Sequence, residues 1–316
     1  MKYDKIREKI LVSGGAGFIG SNIIDALIEV GHKVVIIDNL STGFRKNLNP
    51  EAKFYEVDIR DKKVEEIFAR ERPEVVIHLA AQIDVRASVR NPVFDSEVNI
   101  GGTINLLENC VKYKVRKIIY SNTGGALYGR IEEGSLPVNE KCPVELLSQY
   151  AVSKYSVEHY LYLYNKNYGL DYTSLRYSNV YGDRQNPEGE AGVIAIFINN
   201  MKKNENPIIF GDGKQTRDYV YVKDVVKLNL LALEKGNNEI FNIGSGKQVS
   251  VLDIFDSLKE LLSFKGNPIF KPERLGEIKY IALDSTKALN ELGWKAETDF
   301  SDGIKKTLDY YARDNK

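Results

Sequence analysis

The chain is poor in the residues that build disulfide frameworks and metal clusters. Its 316 residues include two cysteines, Cys110 and Cys142, and three histidines, at positions 32, 78 and 159. The cysteines form no CxxC pair and no framework spacing, which argues against a disulfide scaffold and fits a reducing compartment. The histidines are scattered without ligand spacing, so they read as ordinary core or surface residues and no metal centre is expected. Charge of one sign is lacking too: 44 basic and 44 acidic residues cancel, which leaves no footprint for nucleic acid or an anionic membrane. Any charge on a ligand must be met locally. No apolar run reaches the roughly 20 residues that cross a bilayer. The charged stretch Met1 to Glu8 also lacks a signal-peptide core, so a soluble cytoplasmic protein is expected.

What is present starts at Lys9. Ile10, Leu11 and Val12 form the short apolar run of a buried parallel strand, and Ser13-Gly14-Gly15-Ala16-Gly17-Phe18-Ile19-Gly20 follows as a glycine-rich turn. Gly15, Gly17 and Gly20 satisfy G-x-G-x-x-G; Gly14, Gly17 and Gly20 satisfy G-x-x-G-x-x-G. Behind them, Ser21 to Val30 places Ile23, Ile24, Leu27 and Ile28 on one helical face, so a helix N-terminus would point at a pyrophosphate. His32 to Asp38 is a second apolar strand that ends in an acid, at the distance expected for a carboxylate on an adenosine ribose. That acid repels a 2′-phosphate, which favours NAD over NADP.

The alternation continues. Lys53 to Asp58, Glu74 to Ala81, Val115 to Ser121, Asp171 to Arg176 and Glu239 to Ile243 read as strands; Val64 to Ala69, Val98 to Tyr113 and Tyr150 to Asn167 read as helices. With right-handed crossovers this is an α/β fold, a doubly wound parallel Rossmann sheet. Beyond Tyr177 the texture turns to Gly-, Pro- and Asn-rich loops, which mark a second, smaller α/β lobe for substrate. The expected division is 1–177 plus about 223–245 for the dinucleotide, and about 178–222 and 246–316 for the substrate.

Tyr150-Ala151-Val152-Ser153-Lys154 sets a phenol and an ammonium four residues apart, on one helix face. A phenol with a solution pKa of about 10 is a poor base at neutral pH. Bringing it near 7 takes about 4 kcal/mol of preferential stabilisation of the phenolate, which a neighbouring Lys⁺ and an oxidised nicotinamide can supply.

With these motifs in place, nearly the full length resembles the extended short-chain dehydrogenase/reductase family, and within it the 4-epimerases of UDP-hexoses. The resemblance implies that Tyr150 is the base and Lys154 its activator. In Ser121-Asn122-Thr123-Gly124-Gly125-Ala126-Leu127-Tyr128-Gly129 it gives Thr123 the hydrogen bond to the sugar O4. Arg176-Tyr177-Ser178-Asn179-Val180-Tyr181-Gly182 is similar to R-Y-x-N-V-Y-G, with Ser178 where Phe is common. It puts Tyr177 beside the nicotinamide and Asn179 on the nucleotide sugar. The resemblance further implies NAD contacts from Gly14, Gly17, Phe18, Ile19, Gly20, Asp38, Asn39, Asp58, Ile59, Leu79, Ala80, Ala81 and Lys154. Substrate contacts would come from Val193, Gln215, Arg217, Arg274 and Ile281, the two arginines clamping a UDP diphosphate with planar, bidentate guanidinium groups. Ile281, counted back from Asp284-Ser285-Thr286-Lys287-Ala288, would decide whether a 2-N-acetyl group fits; a one-residue slip would give that role to Tyr280.

The implied activity is reversible C4 epimerisation of UDP-glucose and UDP-galactose through a 4-keto sugar, with NAD retained. Epimerases of UDP-N-acetylhexosamines or UDP-glucuronate are alternatives. A dehydratase needs an acid and a base after the fifth strand, where Gly124 and Gly125 stand. A silent NAD-binding regulator is a further alternative, against which Tyr150, Lys154 and Thr123 argue. The helices at 98–113 and 150–167 resemble the family's dimer-forming pair, which implies a homodimer.

Overall fold

The computed structural model describes residues 7–188, 192–273 and 278–313. Lys9–Ser13 forms β1, whose consecutive residues Ile10, Leu11 and Val12 are fully buried. Neighbours along a strand point to opposite faces, so both faces of the sheet are covered here. Phe18–Glu29 (α1) buries Ile23, Ile24 and Leu27, and Lys33–Asp38 (β2), Lys53–Glu56 (β3), Lys63–Glu71 (α2) and Val75–His78 (β4) follow. Two short helices come next, Val85–Arg90 (α3) and Pro92–Ser96 (α4). Each has a local signal: Asp84 caps Ala87 N–H, and Asn91 caps Phe94 N–H with Pro92 in the first turn.

The single helix expected over 98–113 is instead a π turn, Glu97–Gly101, that leads into α5, Gly102–Lys112. Gly102 lies against Ile59, and a Cβ there would sit 2.6 Å from Ile59 Cδ1. Lys117–Thr123 (β5), Gln149–Tyr168 (α6) and Asp171–Tyr177 (β6) complete the pattern. Ser148 caps the start of α6, and Gly169, at φ 72°, ends it in the left-handed conformation that costs glycine least.

The strands form a seven-stranded parallel sheet in the order Glu239–Ile243, β6, β5, β4, β1, β2, β3. β1 pairs with both β2 and β4, and the order reverses between β1 and β4. Doubly wound sheets take their ligands outside the carboxyl ends of the strands at such a switch point.

The chain groups into two compact units. The first takes residues through Asn122, Ser148–Leu175 and Val226–Ile240; the second takes Thr123–Leu147, Arg176–Val225 and the chain from Phe241 onward. The chain leaves the first unit toward the C-terminal ends of β5 and β6, and after the second residue of the strand at 239–243. The second unit pairs its strands in twos: Asn179–Tyr181 with Tyr219–Tyr221, Thr216–Arg217 with Val249–Ser250, and Ile208–Phe210 with Ile269–Lys271. Among the described residues, no helix is long and apolar enough to cross a membrane.

Candidate active site

In the first unit the loop after β1 is a cradle that side chains would fill. Gly14 has φ +74°, and a Cβ on it would sit 2.6 Å from Ala80 N, just past the end of β4. A Cβ on Gly20 would lie 2.3 Å from Gly14 O. The small residues Ala80 and Ala81 and the glycines thus let two backbone segments meet at the switch point. No side chain caps α1 at Gly17, so its first-turn N–H groups stay available for an anion. Asp38 Oδ2 accepts Ala16 N–H at 3.0 Å and Oδ1 accepts Leu40 N–H at 2.8 Å, which ties this loop to the end of β2. Burial pushes the Asp38 pKa up against those two N–H groups. A carboxylate offers about four acceptor positions, so two remain for a ribose diol.

Asn39 Nδ2 donates to Asp58 Oδ2 at 2.8 Å, and Arg60 grips the same carboxylate with Nε and Nη2, each at 2.9 Å. The Arg60 hydrogen bonds hold the Asp58 pKa down at about 2, so it remains an acceptor. Ile59 is buried and its carbonyl accepts Asn105 Nδ2 at 2.7 Å. These residues fit a dinucleotide: an acid that meets the ribose, a bare helix N-terminus for the pyrophosphate, and no side chains between.

Tyr150 and Lys154 lie on α6. Lys154, 5% exposed, donates from Nζ to Ser121 O on β5 at 2.6 Å and lies 4.5 Å from the centre of the Tyr120 ring. Burial lowers its pKa to about 7, while the carboxylates of Asp95 and Glu158 act to raise it. Tyr150 is partly exposed and its backbone N–H donates to Ser88 Oγ at 3.1 Å. Withdrawal from water and then the Asp95 charge push its phenol above the ordinary value. The positive charge of an oxidised nicotinamide would act in the opposite sense and favour the phenolate. NAD supplies a reversible hydride acceptor when bound.

A polar chain missed by sequence reading runs behind this pair. His78 on β4 joins Ser13 Oγ through Nδ1 at 2.7 Å and Thr103 Oγ1 through Nε2 at 2.8 Å. Thr103 O–H donates to Asn99 O, so His78 Nε2 carries the proton and Nδ1 accepts. Burial lowers the His78 pKa to about 3, so this imidazole is a neutral strut across the switch point. Asn99 in turn meets Gln82 and Asp95, and Asp95 accepts Ser153 O–H at 2.7 Å. Periodicity carries no signal for such pairings; the nearest local marker is the π turn at 97–101, a form frequent at functional sites.

The second unit holds the other site residues. Thr123 ends β5, two residues beyond the Ser121 carbonyl, and its Oγ1 accepts Ala126 N–H at 3.2 Å. Tyr177 is buried, and its carbonyl accepts Gly124 N–H at 2.7 Å. Asn179 N–H donates to Asp218 O at 2.9 Å. Val193 opens the helix Val193–Lys202, which no side chain caps. Gln215 Nε2 donates to Phe210 O at 2.9 Å, and Arg217 Nη1 to Thr216 O at 2.8 Å. Ile281, 2% exposed, packs with Tyr128, Val138 and Leu283. Arg274 lies outside the described residues. Among the described residues, no cluster of His, Cys, Asp or Glu could hold a metal ion.

Residues 10–244 match the NAD dependent epimerase/dehydratase family. A solved UDP-glucose 4-epimerase from Thermotoga maritima, with UDP-glucose, is 49% identical with a TM-score of 0.95, over 98% of this chain and 100% of its own. That of Thermus thermophilus, in complex with NAD, is 41% identical with a TM-score of 0.91, over 96% of this chain and 99% of its own. A UDP-N-acetylglucosamine 4-epimerase from Methanobrevibacter ruminantium is 34% identical with a TM-score of 0.92, over 98% of this chain and 100% of its own. The glycine cradle, the α6 pair and a match over most of the length agree, and the chain belongs to the NAD dependent epimerase/dehydratase family.

Proposed function

We propose that the protein interconverts UDP-glucose and UDP-galactose by inverting C4 through a 4-keto sugar, as a cytoplasmic homodimer that retains NAD. The observation that carries this reading is the fixed Tyr150–Lys154 pair on α6, its ammonium held to the Ser121 carbonyl two residues before Thr123. Tyr150, as phenolate, takes the proton of the 4-hydroxyl, which Thr123 orients; Lys154 stabilises the phenolate and returns the charge balance when the proton goes back. The first unit holds NAD and the second anchors the UDP-sugar through Asn179, Val193, Gln215, Arg217 and Arg274. An anchor on UDP leaves the hexose free to turn over between the two hydride transfers.

Gly124 supports epimerisation over dehydration. Glycine carries no group that could move a proton, and a Cβ there would lie 2.4 Å from Leu283 Cδ1 and 3.1 Å from Arg176 O, so a larger residue would have to displace Leu283. The dimer reading rests on exposed apolar residues of α3, α4 and α6, among them Val89, Val93, Tyr162 and Leu163. A second reading, a UDP-N-acetylhexosamine epimerase, draws support from Ile281, smaller than the tyrosine that excludes a 2-N-acetyl group, and from the Methanobrevibacter relative. The test is to incubate purified protein with UDP-galactose, then with UDP-N-acetylglucosamine, and identify products. UDP-glucose formed from UDP-galactose, faster than any N-acetyl product, is expected; no epimer from either sugar would refute both readings.

A further inference from the structure

Asp95 on α4 is fully withdrawn from water, and its hydrogen bonds come from uncharged groups. Ser153 Oγ donates at 2.7 Å, Gln82 Nε2 at 2.9 Å and Asn99 Nδ2 at 3.0 Å. Two of these donors are locked to each other: Asn99 Oδ1 accepts Gln82 N–H at 2.9 Å, and Asn99 Nδ2 donates to Gln82 O at 3.0 Å. The third, Ser153, lies three residues after Tyr150 and so beside it on one face of α6, and is followed directly by Lys154. Among the described residues no cation is bonded directly to this carboxylate, so its field acts on nearby titratable groups.

We propose that Asp95 is a positioning charge for the Tyr150–Lys154 pair, setting the pH at which the pair is competent while touching neither sugar nor cofactor. The proposal rests on the reading of that pair as base and activator. Other groups also face Lys154. Glu158 on α6 accepts Asn122 Nδ2 at 2.7 Å and Ser174 Oγ at 3.0 Å, Tyr120 lies beneath the ammonium on β5, and His78 on β4 is neutral. Asp95 raises the proton affinity of both Tyr150 and Lys154, whereas Glu158 acts on Lys154. The competent pair, phenolate with ammonium, holds one proton fewer than the acid form and one more than the alkaline form. A negative charge beside both groups therefore sets both limbs of the pH profile high, and its loss moves both down.

The experiment is the pH dependence of kcat/KM for UDP-galactose in NAD-loaded parent, Asp95→Asn, Asp95→Ser, Asp95→Glu and Glu158→Gln. The two neutral Asp95 variants, unlike in size and hydrogen bonding, should shift both limbs to lower pH by about one unit and by similar amounts. Whichever of them folds carries the test. Asp95→Glu should keep the parental position, and Glu158→Gln should move the Lys154 limb more than the other. Phenolate absorbance, read as the difference between each protein and its Tyr150→Phe counterpart, should shift the same way. Neutral variants that lose turnover while both limbs stay in place would overturn the proposal and leave Asp95 a packing residue. Tyr150→Phe and Lys154→Met separate the two failures. Retained turnover in these sinks the assignment of the pair; lost turnover in these with unmoved limbs in the Asp95 variants sinks the role of Asp95 alone.

Discussion

Replacing Ile281 tests where the sugar's C2 substituent is read. The segment that carries it is pinned, since Val138 N–H donates to Ala282 O and Asp284 N–H to Val138 O, each near 2.9 Å. In such an extended stretch alternate residues share a face, so Ile281 lies with Leu283, while Tyr280 points the other way with the Lys279 ammonium 5.2 Å from its ring centre. Leu283 is also the side chain that crowds Gly124, the residue after Thr123. That geometry favours Ile281 over Tyr280 as the gate. Ile281→Ala removes three buried carbons from the cluster with Tyr128, Val138 and Leu283, at a cost of about 2–5 kcal/mol including the cavity. The melting temperature should fall, and the space released should raise the ratio of kcat/KM for UDP-N-acetylglucosamine to that for UDP-glucose. One or two methyl-sized groups in a pocket are worth roughly 10–200-fold. Ile281→Tyr should lower the same ratio. Stability and specificity are read separately, by thermal melting and by steady-state kinetics on both sugars. A ratio that stays constant across Ala, Ile and Tyr, whatever the melting temperatures do, refutes the gate.

Tyr150→Phe should lower turnover by about 10²-fold or more while UDP binding survives; a loss of only a few-fold would remove Tyr150 as the base. Neither UDP-glucose nor dTDP-glucose should yield a 4-keto-6-deoxy product in catalytic amounts, because Gly124 and Gly125 carry no group that can move a proton; mass spectrometry of the products decides. Glu71 accepts from Lys53, Tyr55 and Lys9, which together hold its pKa down at about 2 despite burial. A depressed carboxylate stabilises the fold above its unfolded pKa, near 4.5, and that stability is lost as pH falls toward 2. Denaturation of parent and Glu71→Gln should thus differ most above pH 4.5 and converge toward pH 2; a difference independent of pH would assign Glu71 a purely packing role.

The dinucleotide half was legible for a physical reason. Strands buried on both faces must be apolar throughout, and a backbone on which a Cβ would fall 2.6 Å from another segment must use glycine, so Ile10 to Val12, Gly14 and Asp38 announce themselves locally. Tyr150 and Lys154 were legible because helical spacing places them together. The polar chain through Ser13, His78, Thr103, Asn99 and Asp95 was not, since it joins residues up to 65 positions apart and each member alone resembles an ordinary polar residue. His78, read only as an ordinary core or surface residue, is buried and neutral, and it bridges the strands on either side of the switch point. The short helices α3 and α4 went unread although Asp84 and Asn91-Pro92 are cap signals, because five or six residues give too little periodicity to weigh.

The second unit was harder to read for a related reason, and its organisation explains how short elements can still hold a precise site. Its paired strands are two or three residues long, too short for a pattern and too short to fix their own register. Asp218 supplies the missing constraint. Buried completely, it accepts Ser245 N–H and O–H through Oδ1, at 2.8 and 2.7 Å, and Gly246 and Leu283 N–H through Oδ2, each at 3.0 Å. Its own carbonyl accepts Asn179 N–H, and its neighbour Arg217 is a candidate diphosphate ligand. Through its carbonyl and its carboxylate this one residue, next to Arg217, thereby ties Asn179, a candidate sugar contact, to the segment that carries Ile281. Hydrogen bonds to a charged acceptor are worth about 1.5–3 kcal/mol each, and an amide in its place keeps one acceptor oxygen but turns N–H toward N–H. The arrangement of the candidate contacts in this half thus depends on one buried carboxyl group, as the proton chemistry of the other half is proposed to depend on Asp95.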